Sequence, residues 1–243
     1  MKLEKGVHNG ILDTDYRELP HVSKSDLDKW VKGDDDKKGR HLLVGTALHT
    51  AVLEGGDKYR ELYHVADVNF KLNTNVGKQT HIDLVVDNPG KLILRPQEHE
   101  LVIDMARALK AHPEAAAILE ADRPVEQTII GTLPDFTVTS KCRIDKVCAG
   151  FLMDVKTSGY MCESDFINAM IDYGYHAQAA YYTDLYEAVT GDRKRFRFLC
   201  VSKGGDNSVW IIDISNQLLA AGRAYYRSIL TLYERYETTG DKS

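Results

Sequence analysis

The chain has 243 residues, 43% of them hydrophobic and 28% charged, with a formal net charge of −5 at pH 7. That length suits one α/β domain with a sizeable core, no apolar run approaches membrane-spanning length, and Met1-Lys2-Leu3-Glu4-Lys5 does not begin a signal peptide. The acidic balance argues only mildly against a nucleic-acid binder, because a locally basic channel can coexist with an acidic exterior.

Residues 1–22 read as irregular. Ser23 or Ser25 then caps a helix with Asp26 in its first turn. A polar loop, Asp34-Asp35-Asp36-Lys37-Lys38-Gly39, precedes a helix over about residues 41–54, with Leu42, Leu48, Val52 and Leu53 as its apolar positions. A strand near residues 62–66, a polar excursion around 71–78, a helix over 79–86 and a strand at 92–94 follow. The spacing of Leu101, Met105, Ala108 and Leu109 predicts a helix over 98–110, ended by His112-Pro113. Residues 125–130 and 136–138 read as strands, and 175–189 as a helix stopped by Gly191. Strands at 196–201 and 209–214 and an amphipathic helix from Asn216 to about Tyr236 complete the chain. No repeat, low-complexity tract or linker interrupts it, so residues 1–243 are expected to form a single domain.

The chemistry centres on Cys142-Arg143-Ile144-Asp145-Lys146-Val147, the turn Cys148-Ala149-Gly150, and Phe151-Leu152-Met153-Asp154-Val155-Lys156-Thr157. Two apolar runs around a glycine-containing turn read as a β-hairpin. Side chains two apart on a strand share a face, so Asp154 and Lys156 point one way and Met153 and Val155 the other. A hairpin can bring Asp145 beside that pair, and two carboxylates with one ammonium suit a Mg²⁺ site for phosphodiester hydrolysis. The plainer alternative is a structural Asp154–Lys156 ion pair, since a buried acid needs a partner.

His49, one helical turn from Gly45, is a candidate metal ligand beside the carboxylates, or else a histidine at the edge of the core. The missing side chain at Gly45 would let another group approach the imidazole closely. Gln178 and Tyr182 share a helix face, with Ala179 and Ala180 between them for close packing on the sheet. They could orient Lys156, contact a DNA strand, or simply face water. Glu126 is a further acid for the metal or a solvent-facing strand residue. Arg193-Lys194-Arg195-Phe196-Arg197 and Lys37-Lys38-Gly39-Arg40 are basic clusters that could hold phosphates or be solvated loops. No phosphate loop of the GxxxxGK[ST] type, no CxxC pairs and no HExxH motif are present, which leaves ATP-driven chemistry, a structural zinc and a zincin without support. Cys142, Cys148, Cys162 and Cys200 are expected to be reduced thiols in a cytoplasm.

Taken in order, Gly45-Thr46-Ala47-Leu48-His49, Arg143-Ile144-Asp145, Met153-Asp154-Val155-Lys156-Thr157 and the Gln178…Tyr182 pair resemble the PD-(D/E)xK nucleases. More narrowly, the chain is similar to RecE, exonuclease VIII, of phage-derived recombination systems. Ser23-Lys24-Ser25, Asn75-Val76-Gly77-Lys78 and Asp172-Tyr173-Gly174-Tyr175-His176-Ala177-Gln178 extend the likeness over most of the chain.

The resemblance implies an α/β fold with a restriction-endonuclease-like core, a central mixed β-sheet flanked by helices. It also implies a 5′→3′ exonuclease on double-stranded DNA ends that depends on Mg²⁺, with Mn²⁺ able to substitute, and that leaves 3′ single-stranded tails. A ring-shaped homo-oligomer, a RecT-like annealing partner and a phage or prophage origin in a bacterial cytoplasm go with it. The residue roles it implies are His49, Asp145, Asp154 and the Val155 carbonyl as metal ligands, with Glu126 less securely placed. Lys156 would be the catalytic lysine, supported by Gln178 and Tyr182, and Ser23, Ser25 and Arg40 would contact DNA phosphates or the 5′ end. Relatives with an iron–sulfur cluster place one cysteine early and three near the C-terminus; this chain lacks that arrangement, so no cluster is expected. An endonuclease on the same core and a non-catalytic DNA-binding module are the alternatives.

Overall fold

The alternation along Leu152-Met153-Asp154-Val155 divides the molecule into two cores. Leu152 packs into one hydrophobic cluster, while Met153 and Val155 pack into a second on the opposite face of the strand. The structure, a computed structural model, describes residues 3–33, 39–160 and 162–240. Residues 34–38, which hold most of the expected polar loop and Lys37 and Lys38 of one basic cluster, lie outside the described residues.

In chain order the elements are β1 (Gly6–His8), α1 (Asp13–Glu18), α2 (Lys24–Lys32) and α3 (Arg40–His49), which runs into a π-helical turn at Thr50–Glu54. Then come α4 (Gly56–Leu62), β2 (Tyr63–Val65), α5 (Asn75–Asp87), β3 (Leu92–Leu94), α6 (Pro96–Ala111) and α7 (Pro113–Glu120). The second half comprises β4 (Val125–Thr132), β5 (Thr139–Val147), β6 (Phe151–Ser158), α8 (Glu163–Ala169), α9 (Tyr175–Thr190), β7 (Arg195–Ser202), β8 (Val209–Asp213) and α10 (Asn216–Thr239).

The main sheet has the order β1-β4-β5-β6-β7-β8. Its pairs are antiparallel except β6–β7, which are parallel and joined by the crossover through α8 and α9. A mixed sheet flanked by helices, the expected fold class, is what forms. Leu27 of α2, Ala177, Tyr181 and Leu185 of α9 and Tyr226 and Leu230 of α10 cover one face. Val44 and Leu48 of α3 and Val102, Met105 and Leu109 of α6 cover the other. Strands β2 and β3 form a separate parallel pair beside α5.

Several elements depart from the pattern read in the sequence. Residues 1–22, expected to be irregular, contain β1, paired antiparallel with β4, and the short helix α1. Three residues of strand are too few to show a period of two, and their partner is more than a hundred positions away. The expected strand at 136–138 begins instead at Thr139, and α5 starts at Asn75, capped by the Thr74 hydroxyl accepting from Gly77 N–H. His112 does end α6, but it also caps α7, whose first residue is Pro113. Proline suits a first helical position, so the stop for one helix is the start of the next.

Candidate active site

Strands β5 and β6 pair through Val147↔Leu152 and Lys146↔Met153, and there the backbone ladder stops. At the next position the Asp145 side chain takes over: its Oδ2 accepts the Val155 N–H at 2.7 Å. The strands diverge around that contact, and the opening is filled with polar groups from four elements.

From α3, at the point where the helix widens into its π-turn, the His49 ring enters. Its Nε2 lies 2.8 Å from the Val155 carbonyl oxygen and its Nδ1 3.2 Å from Asp145 Oδ2. Local π-geometry often accompanies such placement of a functional side chain. Glu126 on β4 is paired with Arg143 at 2.6 Å and is one of three non-glycine residues with positive φ among the described residues, at 50°. Backbone held in this sparsely populated region is a cost that the surrounding structure must offset, and such residues concentrate at functional sites. His49, Glu126 and Asp145 each offer a ligand atom, all within 4.8 Å of one another.

Asp154 and Lys156 lie on the α9 side. Lys156 Nζ is 2.5 Å from Asp154 Oδ2, and Gln178 Nε2 donates to Asp154 Oδ1 at 2.5 Å. The Lys156 ammonium also sits 4.8 Å from the Tyr175 ring centroid and 6.0 Å from that of Phe198.

The electrostatics follow from burial and crowding. Burial, then the neighbouring Asp154 charge, raises the Asp145 carboxyl well above its ordinary range. Burial and Asp145 push Glu126 up to about 7, against the pull of Arg143. Burial lowers the His49 pKa, which favours a neutral imidazole able to ligate. Burial also disfavours the Lys156 ammonium, but Asp154, Tyr175 and Asp145 together outweigh it and raise the pKa. Tyr182 is partly buried near the same carboxylates, and its hydroxyl is pushed well up, mainly by desolvation.

The donor set fits a divalent cation. Two carboxylates and a neutral imidazole converge, and the acids are held at raised pKa values that a cation would reverse. Asp154 Oδ2 is buried, and its close neighbour is the Lys156 ammonium. A histidine that ligates through one nitrogen usually donates the other N–H to a carbonyl or carboxylate, and here Nε2 donates to the Val155 carbonyl. The Val155 carbonyl, expected as a ligand, lies against the imidazole at 2.8 Å.

Other expected residues have different positions. Asp154 falls outside the three-residue ligand group, while Glu126 falls inside it. The space over Gly45 faces Thr157, whose Oγ1 would be 3.6 Å from an added Cβ, rather than the imidazole. Ser23 is buried and caps α2 reciprocally with Asp26, whereas Ser25 is exposed beside it at 2.9 Å. Arg40 is engaged within the protein. Its Nε holds Glu98 Oε1 at 2.5 Å and its Nη2 donates to both Glu98 Oε2 and, at 2.9 Å, the Ile93 carbonyl. It lies nine residues from His49, roughly 13 Å along α3.

Two residues of the site were not singled out in the sequence. Tyr175 is three positions before Gln178 and so shares its helix face, a signal that was present. Lys24, between the two serines, pairs with Asp28 at 2.5 Å and lies near enough to Lys156 for each charge to disfavour the other. Nothing in its local pattern marks that proximity.

A first acid on β5, then Asp-x-Lys on the next strand of a mixed sheet flanked by helices, places the molecule in the PD-(D/E)xK nuclease superfamily. The profile of the PDDEXK-like domain of unknown function, DUF3799, matches residues 16–242, and the chain belongs to that family. A candidate exonuclease from Eubacterium rectale has a similar fold, with a TM-score of 0.55 at 17% identity over 88% of this chain and 75% of that one. An alkaline exonuclease from Laribacter hongkongensis aligns more distantly, with a TM-score of 0.26 and 15% identity over 69% of this chain and 86% of that one. No curated protein matches the sequence. Among the described residues, no helix is long and apolar enough to cross a membrane.

Proposed function

We propose that the protein is a Mg²⁺-dependent 5′→3′ exonuclease on double-stranded DNA that leaves 3′ single-stranded tails for recombination by strand annealing. The observation that carries the hydrolytic reading is the convergence of His49, Glu126 and Asp145 within 4.8 Å, next to an Asp154–Lys156 pair on the adjoining strand. His49, Glu126 and Asp145, with Asp154 beside them, would hold the cation. When bound, it polarises the phosphate and makes water a better nucleophile near neutral pH.

The side chains supply the rest. Lys156 orients the attacking water and offsets charge on the phosphate as the new P–O bond forms and the P–O3′ bond breaks, giving a 3′-hydroxyl and a 5′-phosphate. Tyr175 and Phe198 confine the ammonium to that spot. Gln178 fixes the Asp154 carboxylate by holding one oxygen. The RecE-like order of motifs supports the exonuclease polarity, a ring-shaped homo-oligomer and an annealing partner.

The test is digestion of linear duplex labelled separately at its 5′ and 3′ ends, in Mg²⁺ and in EDTA, beside covalently closed circles. Early Mg²⁺-dependent release of the 5′ label with intact circles is expected. Cut circles would replace this reading with an endonuclease, and no cleavage with retained binding would replace it with a DNA-binding module.

A further inference from the structure

The turn at residues 170–174, between α8 and α9, carries two large apolar side chains into solvent: Ile171 is 55% exposed and Tyr173 57%. The turn is well braced. Tyr173 N–H donates to the Ala169 carbonyl at 3.1 Å, Gly174 N–H to Ile171 at 2.9 Å and Tyr175 N–H to Met170 at 2.9 Å. Met170 is fully buried beneath it, and Gly174 takes the left-handed conformation, φ 69°, that allows α9 to begin at once. The hydrolytic mechanism uses neither exposed side chain.

The rings form a column. Tyr160 meets Tyr173 edge-on at 6.5 Å, Tyr173 stacks on Tyr175 at 5.5 Å with the planes 24° apart, and Tyr175 stacks on Phe166 at 5.7 Å. Tyr175 in turn carries the Lys156 ammonium at 4.8 Å. Aromatic faces thus run from solvent to the lysine that meets the scissile phosphate. Tyr175 touches both the Lys156 ammonium and Tyr173, so Tyr173 stands one ring out from the lysine. Aromatic rings stack on any base and tolerate any sequence, and a base released from its pair offers them a free face.

We infer that Tyr173, backed by Tyr160 and Tyr175, is a stacking platform for an unpaired nucleobase adjacent to the scissile phosphate, and so a positioning residue that recognises an opened duplex end. The inference rests on the nuclease reading above. A rigid aromatic platform holds the base at little conformational cost, because the turn is ordered by its own hydrogen bonds before the DNA arrives.

The experiment uses the full chain and linear duplexes with 2-aminopurine at successive 5′-terminal positions, read by fluorescence with Ca²⁺ in place of Mg²⁺. Quenching at one position is expected, and Tyr173→Ala removes it. In Mg²⁺, Tyr173→Ala raises KM about tenfold with little change in kcat, whereas Tyr173→Phe and Tyr173→Trp behave as the unsubstituted protein. On a duplex with an abasic residue at the quenched position, the KM penalty of Tyr173→Ala disappears. An equal penalty on the abasic duplex, or no change in KM and quenching, would overturn the platform. If the unsubstituted protein cuts no DNA, the nuclease reading fails separately, and quenching alone decides whether the platform exists.

Discussion

His49 and Asp145 hold the two polar backbone groups of Val155: the imidazole Nε2 sits 2.8 Å from its carbonyl oxygen and the carboxylate accepts its N–H at 2.7 Å. Val155 is the middle residue of Asp154-Val155-Lys156. The candidate ligands therefore also fix the strand segment from which the acid and the lysine project. Asp145 stands where a backbone acceptor of β5 would otherwise continue the ladder, so one side chain both ends the pairing and opens the site.

Lys156→Ala should lower cleavage at least about a hundredfold while DNA binding persists, because the lysine acts on developing charge. It should also destabilise the metal-free protein by about 3 kcal/mol, since the 5% exposed Asp154 side chain loses its cation. Removing both groups in Asp154→Ala/Lys156→Ala should recover much of that loss. Thermal melts in EDTA and a linear-duplex digestion read the two effects separately. Near-normal cleavage by Lys156→Ala would take the lysine out of the chemistry.

Glu126 and Asp145 crowd each other in the absence of a cation. For a carboxyl whose folded pKa lies above its unfolded value, stability is greatest below the unfolded value and falls as pH rises through the folded one. For Glu126 that window runs from about 4.5 to about 7. At pH 8 in EDTA, Glu126→Gln should therefore raise Tm by a few degrees. Mg²⁺ should stabilise the unsubstituted protein, and more at pH 8 than at pH 5.5, and Glu126→Gln and Asp145→Asn should lose most of that gain. Calorimetric titration with Mg²⁺ and Mn²⁺ checks the binding directly.

The hairpin was legible because its apolar runs alternate with period two and Asp154 and Lys156 sit at that spacing. His49 and Gln178 were legible as faces of helices. The partition of the acids was not. That Glu126 joins His49 and Asp145 while Asp154 turns to Lys156 and Gln178 depends on where β5 and β6 diverge, a three-dimensional event without a sequence period. The Arg40–Glu98 pairing was not legible because a basic cluster looks the same in sequence whether it meets DNA or a glutamate fifty-eight positions away. β1 and α1 were missed because elements of three and six residues carry too few positions to show a pattern.

The Arg40–Glu98–Arg95 cluster makes a separate prediction about acid stability. Burial alone would raise the Glu98 pKa, but the hydrogen bonds from Arg40 and Arg95 outweigh it and bring it down to about 2. A depressed carboxylate contributes stability above its unfolded value, near 4.5, and loses it as pH falls toward about 2. Glu98→Gln should cost about 2 kcal/mol at pH 7, and the gap to the unsubstituted protein should close between pH 4.5 and pH 2. Urea unfolding at stepped pH measures it, and a gap independent of pH would show that packing, not charge, dominates.

Gly222 tests how far the site depends on helix packing behind it. A Cβ at this position would lie 2.1 Å from the His176 carbonyl oxygen, 2.5 Å from its carbon and 2.9 Å from Ala177 N. All three are backbone atoms, so no side chain can move aside, and α10 must shift against α9. Overpacking of this kind costs about 1–3 kcal/mol or more. The same stretch of α9 carries Gln178, two residues beyond His176, and the 2.5 Å contact to Asp154 would open as the helix moves. Gly222→Ala should therefore lower both Tm and the cleavage rate. Gly205→Ala, where an added Cβ meets nothing within 4 Å, should change neither. A loss of Tm with full cleavage would show that Gln178 is not needed to hold Asp154 in place.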